Sequence, residues 1–265
     1  MTGTHRAVDD AIAAAYSETG TAWQAGPGRI YDVLARHLVA SISIDPHDLA
    51  LDLGAGTGAA SRVLRGAGAH VIALDIALGM LHAITDRVSC VVADVRVLPF
   101  APATFDVVAA AFSLNHVTDP VRSLIEVRRV LRRGGQFAAS VYAADDDHPV
   151  KRAVETAAFD MGWRRPPWYD ELAGSAMPTL ATVDRAEAAL GAAGLDGDAA
   201  AVEVPIVGVT PLEMVEWRLG MAQLAPFVAA LDDIQRAALR ERAHQLLGPS
   251  PAPLVRRVVQ LRAVR

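Results

Sequence analysis

Leu49-Ala50-Leu51-Asp52-Leu53-Gly54-Ala55-Gly56-Thr57-Gly58-Ala59 is the stretch whose reading decides the fold of this chain. The apolar run from Leu49 reads as a strand, closely spaced glycines end it, and Ala59 to Gly66 has the pattern of a helix. At the glycines no side chain keeps a ligand from the backbone. The first N–H groups of the following helix lack intrahelical partners and face whatever sits there. Strand, glycine turn and helix together make a site for a nucleoside-containing cofactor.

Outward from this turn, β-branched runs alternate with helical patterns. Strands are expected at 49–53, 70–75, 89–94, 105–112 and 136–142, and helices at 58–66, 77–85 and 120–131. This rhythm implies a parallel sheet covered by helices. Asp119-Pro120 opens a helix as an N-cap with proline in the first turn, and Arg132-Arg133-Gly134-Gly135 closes one. Helices at 6–15 and 28–41 precede the sheet, joined by an aromatic connection from Tyr16 to Pro27.

After Tyr142 the rhythm breaks. Residues 145–181 and 210–250 hold three of the four tryptophans; the rhythm resumes after the first with a helix at 183–193 and a strand at 201–207, and after the second with a strand at 254–261. The expected organisation is an N-terminal helical cap (1–45), a core (46–144) and a lid insertion (145–181). A core helix and strand (182–209), a second helical lid (210–250) and the last core strand (251–265) follow. Aromatics gathered on insertions fit a lid over a pocket, and ordinary helix packing accounts for them as well.

Composition sets the class. The chain has 265 residues, a net charge of −5, and no apolar run long enough to cross a bilayer. The acidic balance argues against nucleic acid, whose phosphates want a basic face. The N-terminal MTGTHRAVDD lacks the charged-then-apolar design of a signal peptide, which points to the cytoplasm. The single cysteine, Cys90, is expected to be a buried strand residue.

Gly54, Gly56 and Ala59 fit a GxGxxA dinucleotide pattern, but three features oppose it. Asp52 would repel a pyrophosphate, a long helical segment precedes the first strand, and Asp94 has no role in that scheme. S-adenosylmethionine has no phosphate. It offers an ammonium, a ribose diol and an adenine amine, all suited to acceptor-only carboxylates.

At these residues the chain resembles the class I S-adenosylmethionine-dependent methyltransferases, in particular the ubiquinone/menaquinone-biosynthesis-like small-molecule group (methyltransferase type 11). Asp52 to Gly58 matches D/E-x-G-x-G-x-G, and Asp75 ends the second strand. Ala93-Asp94-Val95, Phe105 to Val108 with Asn115 to Pro120, and Leu131 to Gly135 follow in family order, Arg133 standing where proline is usual. The resemblance implies a Rossmann-like, mostly parallel seven-stranded sheet with helices on both faces and helical lid insertions.

It also implies site residues. Gly54, Ala55, Gly56 and Gly58 would admit the aminoacyl and ribose portions of the cofactor, with Asp52 nearby. Asp75 would take the ribose hydroxyls and Asp94 the adenine amine, with Ile76, Met80, Val95 and Ala111 around the cofactor. Asp75 as a helix cap and Asp94 as a turn-closing residue are competing readings. Tyr16, Trp23 and Arg29 lie in the segment that folds over the cofactor in such enzymes, or else only pack helices. His116 would sit near the transferable methyl as a general base, or else only shape its loop, with Asn115 beside it to orient substrate. Trp163, Trp168, Tyr169 and Trp217 on the insertions point to an apolar or aromatic acceptor. The remaining histidines are scattered without metal-ligand spacing, so no metal is expected.

The function implied is methyl transfer to a small metabolite, as in secondary metabolism or quinone synthesis. The expected partner is that acceptor, with a homodimer as the candidate assembly and neither nucleic acid nor a membrane span involved. The alternative is a methyltransferase-fold protein with a non-methylating role, a cyclase or a small-molecule binder that retains the cofactor.

Overall fold

The computed structural model describes residues 3–85 and 88–265; Met1 and Thr2 of the expected 1–45 cap lie outside them. Three helices come first, α1 (Gly3–Ser17), α2 (Gly20–Ala25) and α3 (Gly28–Val39). The core then runs β1 (Leu49–Leu53), α4 (Ala59–Gly66), β2 (His70–Asp75), α5 (Leu78–His82), β3 (Ser89–Val92), β4 (Phe105–Ala111), α6 (Pro120–Val130) and β5 (Leu131–Tyr142). Helices α7 (Pro149–Asp160) and α8 (Pro167–Gly174) interrupt it before α9 (Val183–Ala192) and β6 (Asp196–Pro205). A second interruption carries α10 (Pro211–Leu219), α11 (Ala225–Ala230) and α12 (Asp233–Leu247), and β7 (Val255–Val264) ends the chain.

The seven strands form one sheet in the order β3-β2-β1-β4-β5-β7-β6, with only β7 antiparallel to its neighbours. Alternation along the strands feeds two faces. Ala50, Val107 and Ala109 pack with Val39 of α3 and Leu64 of α4, while Leu51, Leu53, Val108 and Ala110 pack with Leu124 of α6 and Leu190 of α9. Phe105, Leu124 and Phe137 are fully buried, each worth about 1.5–3 kcal/mol in transfer from water. Strand order reverses between β2-β1 and β1-β4, and this switch point opens a crevice beyond the carboxyl ends of β1 and β4.

The structure corrects several expectations. The Tyr16–Pro27 connection contains α2, because Gly20 to Ala25 forms a turn and a half of helix too short to show a period. Strand β6 starts at Asp196 instead of Ala201, since antiparallel pairing with β7 imposes strand on Asp196-Gly197-Asp198, which alone read as loop. The expected turn at 132–135 is looped out within β5, where Leu131 pairs with Phe105 and the next pair is Gln136 with Val107. Cys90 is exposed, because β3 is the edge strand of the sheet. Among the described residues, no helix is long and apolar enough to cross a membrane.

Candidate functional site

The turn after β1 is held from two sides. Gly54 and Ala55 donate their backbone N–H to the Leu74 carbonyl of β2 (2.7 and 2.9 Å), and Ser113 after β4 donates Oγ to the Leu53 carbonyl (2.6 Å). Gly54 has φ +69°, and a Cβ there would stand 2.2 Å from Ser113 Cβ. Gly56 has φ +55° with nothing within 4 Å of its added Cβ. One glycine is therefore required by a neighbouring strand end; the other borders open space.

Gly58 is the N-cap of α4 and has no side chain with which to cap it. Asp52 does that work from β1. Its Oδ2 accepts from Ser61 N (2.7 Å) and Ser61 Oγ (2.6 Å), so the carboxylate meets an orphan N–H at the positive end of the helix. Burial outweighs these bonds and pushes the Asp52 carboxyl up to about 6.

The crevice is a cavity of about 120 Å³ whose lining includes Gly54, Ala55, Gly56, Asp75, Asp94 and Arg96. Asp75 accepts from Gly56 N at Oδ2 and Ala77 N at Oδ1, both 2.8 Å, which braces the glycine turn against the start of α5. Burial raises its carboxyl above the usual range despite these bonds. Burial also raises Asp94, but the hydrogen bonds and charge of Arg96 overcome it and hold Asp94 low.

The lining is also aromatic. His116, Tyr16, Trp23, Tyr31 and Phe112 all belong to it, and successive ring centroids along that series are 5.5, 5.8, 4.9 and 5.5 Å apart. Tyr16 comes from α1, Trp23 from α2 and Tyr31 from α3, so the three cap helices each contribute one ring. Phe112 sits at φ +61°, a costly conformation for a bulky residue, at the point where β4 leaves the sheet. The Tyr16 hydroxyl lies 3.3 Å from His116 Nδ1 and 3.4 Å from Nε2, and Asn115 Nδ2 lies 3.1 Å from Nε2. Burial pulls the His116 imidazolium down to about 4.

Of the expected site residues, the wall carries Tyr16, Gly54, Ala55, Gly56, Asp75, Ile76, Met80, Asp94, Val95, Ala111 and His116. Others stand elsewhere. Asp52 and Gly58 lie behind the turn, and Asn115 is buried beneath His116. Arg29 turns outward to Glu213 and donates to the Gly208 carbonyl (2.8 Å). Trp163 is buried and donates Nε1 to the Gln223 carbonyl (3.0 Å), and Trp217 is buried with Arg256 Cζ 4.6 Å from its ring. Trp168 packs against Ile12 and Leu172 and so braces α1 from outside, with Tyr169 5.7 Å from its ring. The insertion aromatics thus hold the cap and insertions together, and the cap's own aromatics form the wall. Sequence reading did not assign Tyr31, Phe112, Asp9 or Arg96 to the site; the signal for Tyr31 was its position on the buried stripe of α3 with Ile30, Leu34 and Leu38. Among the described residues, no group of three His, Cys, Asp or Glu comes together to hold a metal.

The methyltransferase-domain family model matches residues 51–139, from the glycine turn into β5. Over these residues the chain is similar to methyltransferase domains. A demethylmenaquinone methyltransferase of Clavibacter sepedonicus is 35% identical over 155 residues, covering 56% of this chain and 62% of that protein. The chain spans about three fifths of the length of the curated relatives it matches. Among solved structures, the Haemonchus contortus phosphoethanolamine N-methyltransferase 2 in complex with S-adenosyl-L-methionine superposes with a TM-score of 0.55 at 17% identity, over 87% of this chain and 52% of that one. The [4+2]-cyclase SpnF superposes at 0.54 and 20% identity, over 92% of this chain and 83% of that one. These two likenesses show the fold alone.

Proposed function

We propose that this protein transfers a methyl group from S-adenosylmethionine to a small aromatic acceptor of the quinone class. The observation that carries the reading is the mixed lining of the cavity, in which acidic groups and bare glycine backbone stand in one wall with a set of aromatic rings. The acidic part of the lining fits the cofactor: Asp75 and Asp94 are acceptors for ribose hydroxyls and an adenine amine, and the open space at Gly56 leaves room beside bare backbone. Bound there, the cofactor supplies an electrophilic methyl on a sulfonium whose leaving group needs no further activation.

The chain's contribution is alignment and exclusion of water. Tyr16, Trp23, Tyr31 and Phe112 form a slot for a planar acceptor and orient its nucleophilic atom toward the methyl, where proximity is worth up to about 7–11 kcal/mol. His116 is neutral above about pH 4 and is ready to take a proton. Its basicity is low, so it suits a proton that becomes strongly acidic only as the new bond forms, on a methylated hydroxyl or ring carbon. The cytoplasm is the expected location.

Calorimetry with S-adenosylmethionine, followed by transfer of labelled methyl to a quinone and quinol panel beginning with demethylmenaquinone, tests the reading. Micromolar cofactor binding and label in the extracted acceptor are expected. Absence of binding removes the cofactor assignment. Binding with no label in any acceptor favours the non-methylating role.

A further inference from the structure

Arg96 follows β3 in the lining of the cavity, and its side chain is only 8% exposed. Its guanidinium joins three parts of the chain. Nε and Nη2 donate to Asp94 (3.0 Å to Oδ1 and 2.6 Å to Oδ2), Nη2 donates to Asp9 Oδ2 of α1 (2.6 Å), and Nη1 donates to Thr118 Oγ1 beyond β4 (2.5 Å). Thr118 Oγ1 in turn donates to Asp9 Oδ1 (3.1 Å). Asp9, Asp94 and Arg96 all border the cavity.

The charges do not cancel: two carboxylates share one guanidinium, leaving one negative charge. Asp94 is the member with the greatest remaining exposure, 30% against 11% for Asp9. It already accepts Arg96 N (2.8 Å) and Nε (3.0 Å) at Oδ1, and Nε (3.1 Å) and Nη2 (2.6 Å) at Oδ2. A carboxylate offers about four lone-pair sites. Nε divides its one hydrogen between the two oxygens, so three hydrogens serve the four sites and the exposed side of the carboxylate can take one further amine N–H.

We infer that Arg96 is a positioning residue for the purine of the cofactor. It fixes Asp94 so that its exposed side selects a purine bearing an exocyclic amine, and through Asp9 it latches α1 across the bound nucleoside. The inference rests on the S-adenosylmethionine reading above. The lysine head has one point charge where this arrangement uses a planar fork, so the role depends on arginine itself.

The test compares S-adenosylhomocysteine with its deaminated inosine analogue on the full chain, by calorimetry and by stopped-flow tryptophan fluorescence, with Trp23 in the cavity wall as reporter. The parent is expected to prefer the amine by roughly 10- to 100-fold, the worth of one hydrogen bond to a charged group. Arg96→Gln reduces that preference below about threefold and raises the dissociation rate by about tenfold or more. Asp9→Asn keeps the preference, because the Arg96–Asp94 pair is intact, and raises only the dissociation rate. If Arg96→Gln does not fold, Arg96→Lys takes its place in the preference measurement. A retained preference in the folded Arg96 variant, or unchanged dissociation in Asp9→Asn, overturns the inference while the cofactor reading stands. A parent that binds neither nucleoside overturns both.

Discussion

Of the cavity lining, Gly54 and Gly56 come from the turn after β1 and Asp75 from the end of β2, its parallel neighbour, and these make the polar end. Tyr16, Trp23, Tyr31, Phe112 and His116 come from three cap helices and the residues beyond β4, and make the aromatic end. The first end is made by backbone: N–H groups of Gly56 and Ala77 hold one carboxylate, and a carbonyl of β2 holds the turn. The second is made by side chains that meet only because α1, α2 and α3 dock on the sheet. That docking is close. A side chain at Gly79 on α5 would come within 1.9 Å of the Ser17 carbonyl at the end of α1. Backbone-built sites tolerate no change at few positions, whereas side-chain-built sites tolerate graded change at many.

The sharpest break in this comparison is at Gly54. Gly54→Ala places a methyl 2.2 Å from Ser113 Cβ in a left-handed conformation, so both sterics and φ oppose it. The left-handed penalty alone is about 1–2 kcal/mol and the displaced strand end adds to it. Thermal denaturation should show the large loss, with cofactor binding abolished. Gly56→Ala meets nothing within 4 Å and should cost only the left-handed penalty in stability, yet still weaken cofactor binding. Equal melting temperatures for the two variants would remove the distinction between the glycines.

Next in size is Asp75→Ala. Two hydrogen bonds from ribose hydroxyls to a charged acceptor make a loss of about 100-fold in S-adenosylhomocysteine affinity the expected result by calorimetry. Asp75→Asn keeps one acceptor oxygen and should fall between this variant and the parent. Affinity within threefold of the parent in the Ala variant would reduce Asp75 to a brace for the turn.

The two ends also differ in how far they could be read from the chain. Leu49 to Gly58, Asp75 and Asp94 are legible because strand, turn and acidic strand end occur at short, fixed separations, and local backbone chemistry determines their places. The strands at 49–53 and 70–75 match the structure residue for residue. Tyr31 and Phe112 are 81 residues apart in number and meet through tertiary docking, which the local pattern of neither segment records. Trp163 and Trp217 mislead for the same reason: an aromatic on an insertion looks like a lid residue until its neighbours, Gln223 and Arg256, are known. Asp52 carries the right motif letter, but its partner Ser61 makes it a cap for α4 rather than part of the wall.

A smaller effect separates the ends by ligand. Trp23→Ala removes a ring between Tyr16 and Tyr31 and opens the slot, so KM for the active quinone acceptor should rise roughly tenfold, within the range for truncating a buried aromatic anchor. The cofactor Kd should stay within threefold. A change in cofactor Kd equal to that in acceptor KM would show that the aromatic end does not act as a separate subsite.

The smallest effect concerns His116, and its sign follows from burial. The folded imidazole titrates near 4 instead of 6.5, because the site disfavours its charged form. Between pH 6 and 8 the group is already neutral in the folded protein, so kcat/KM measured against the acceptor should vary less than about twofold on its account. For stability the folded value is the depressed one. The His116 contribution is therefore fully present above about pH 6.5 and is lost as pH falls toward 4, where the unfolded chain binds a proton that the folded chain refuses. His116→Gln should flatten the stability profile in that acid window while leaving the profile above pH 7 unchanged in shape. An inflection near pH 6.5 in the parent activity profile that disappears in His116→Gln would mean that the ring is solvated in the working enzyme. The Tyr16 contact would then open during turnover, and the aromatic end would be the mobile half of the cavity.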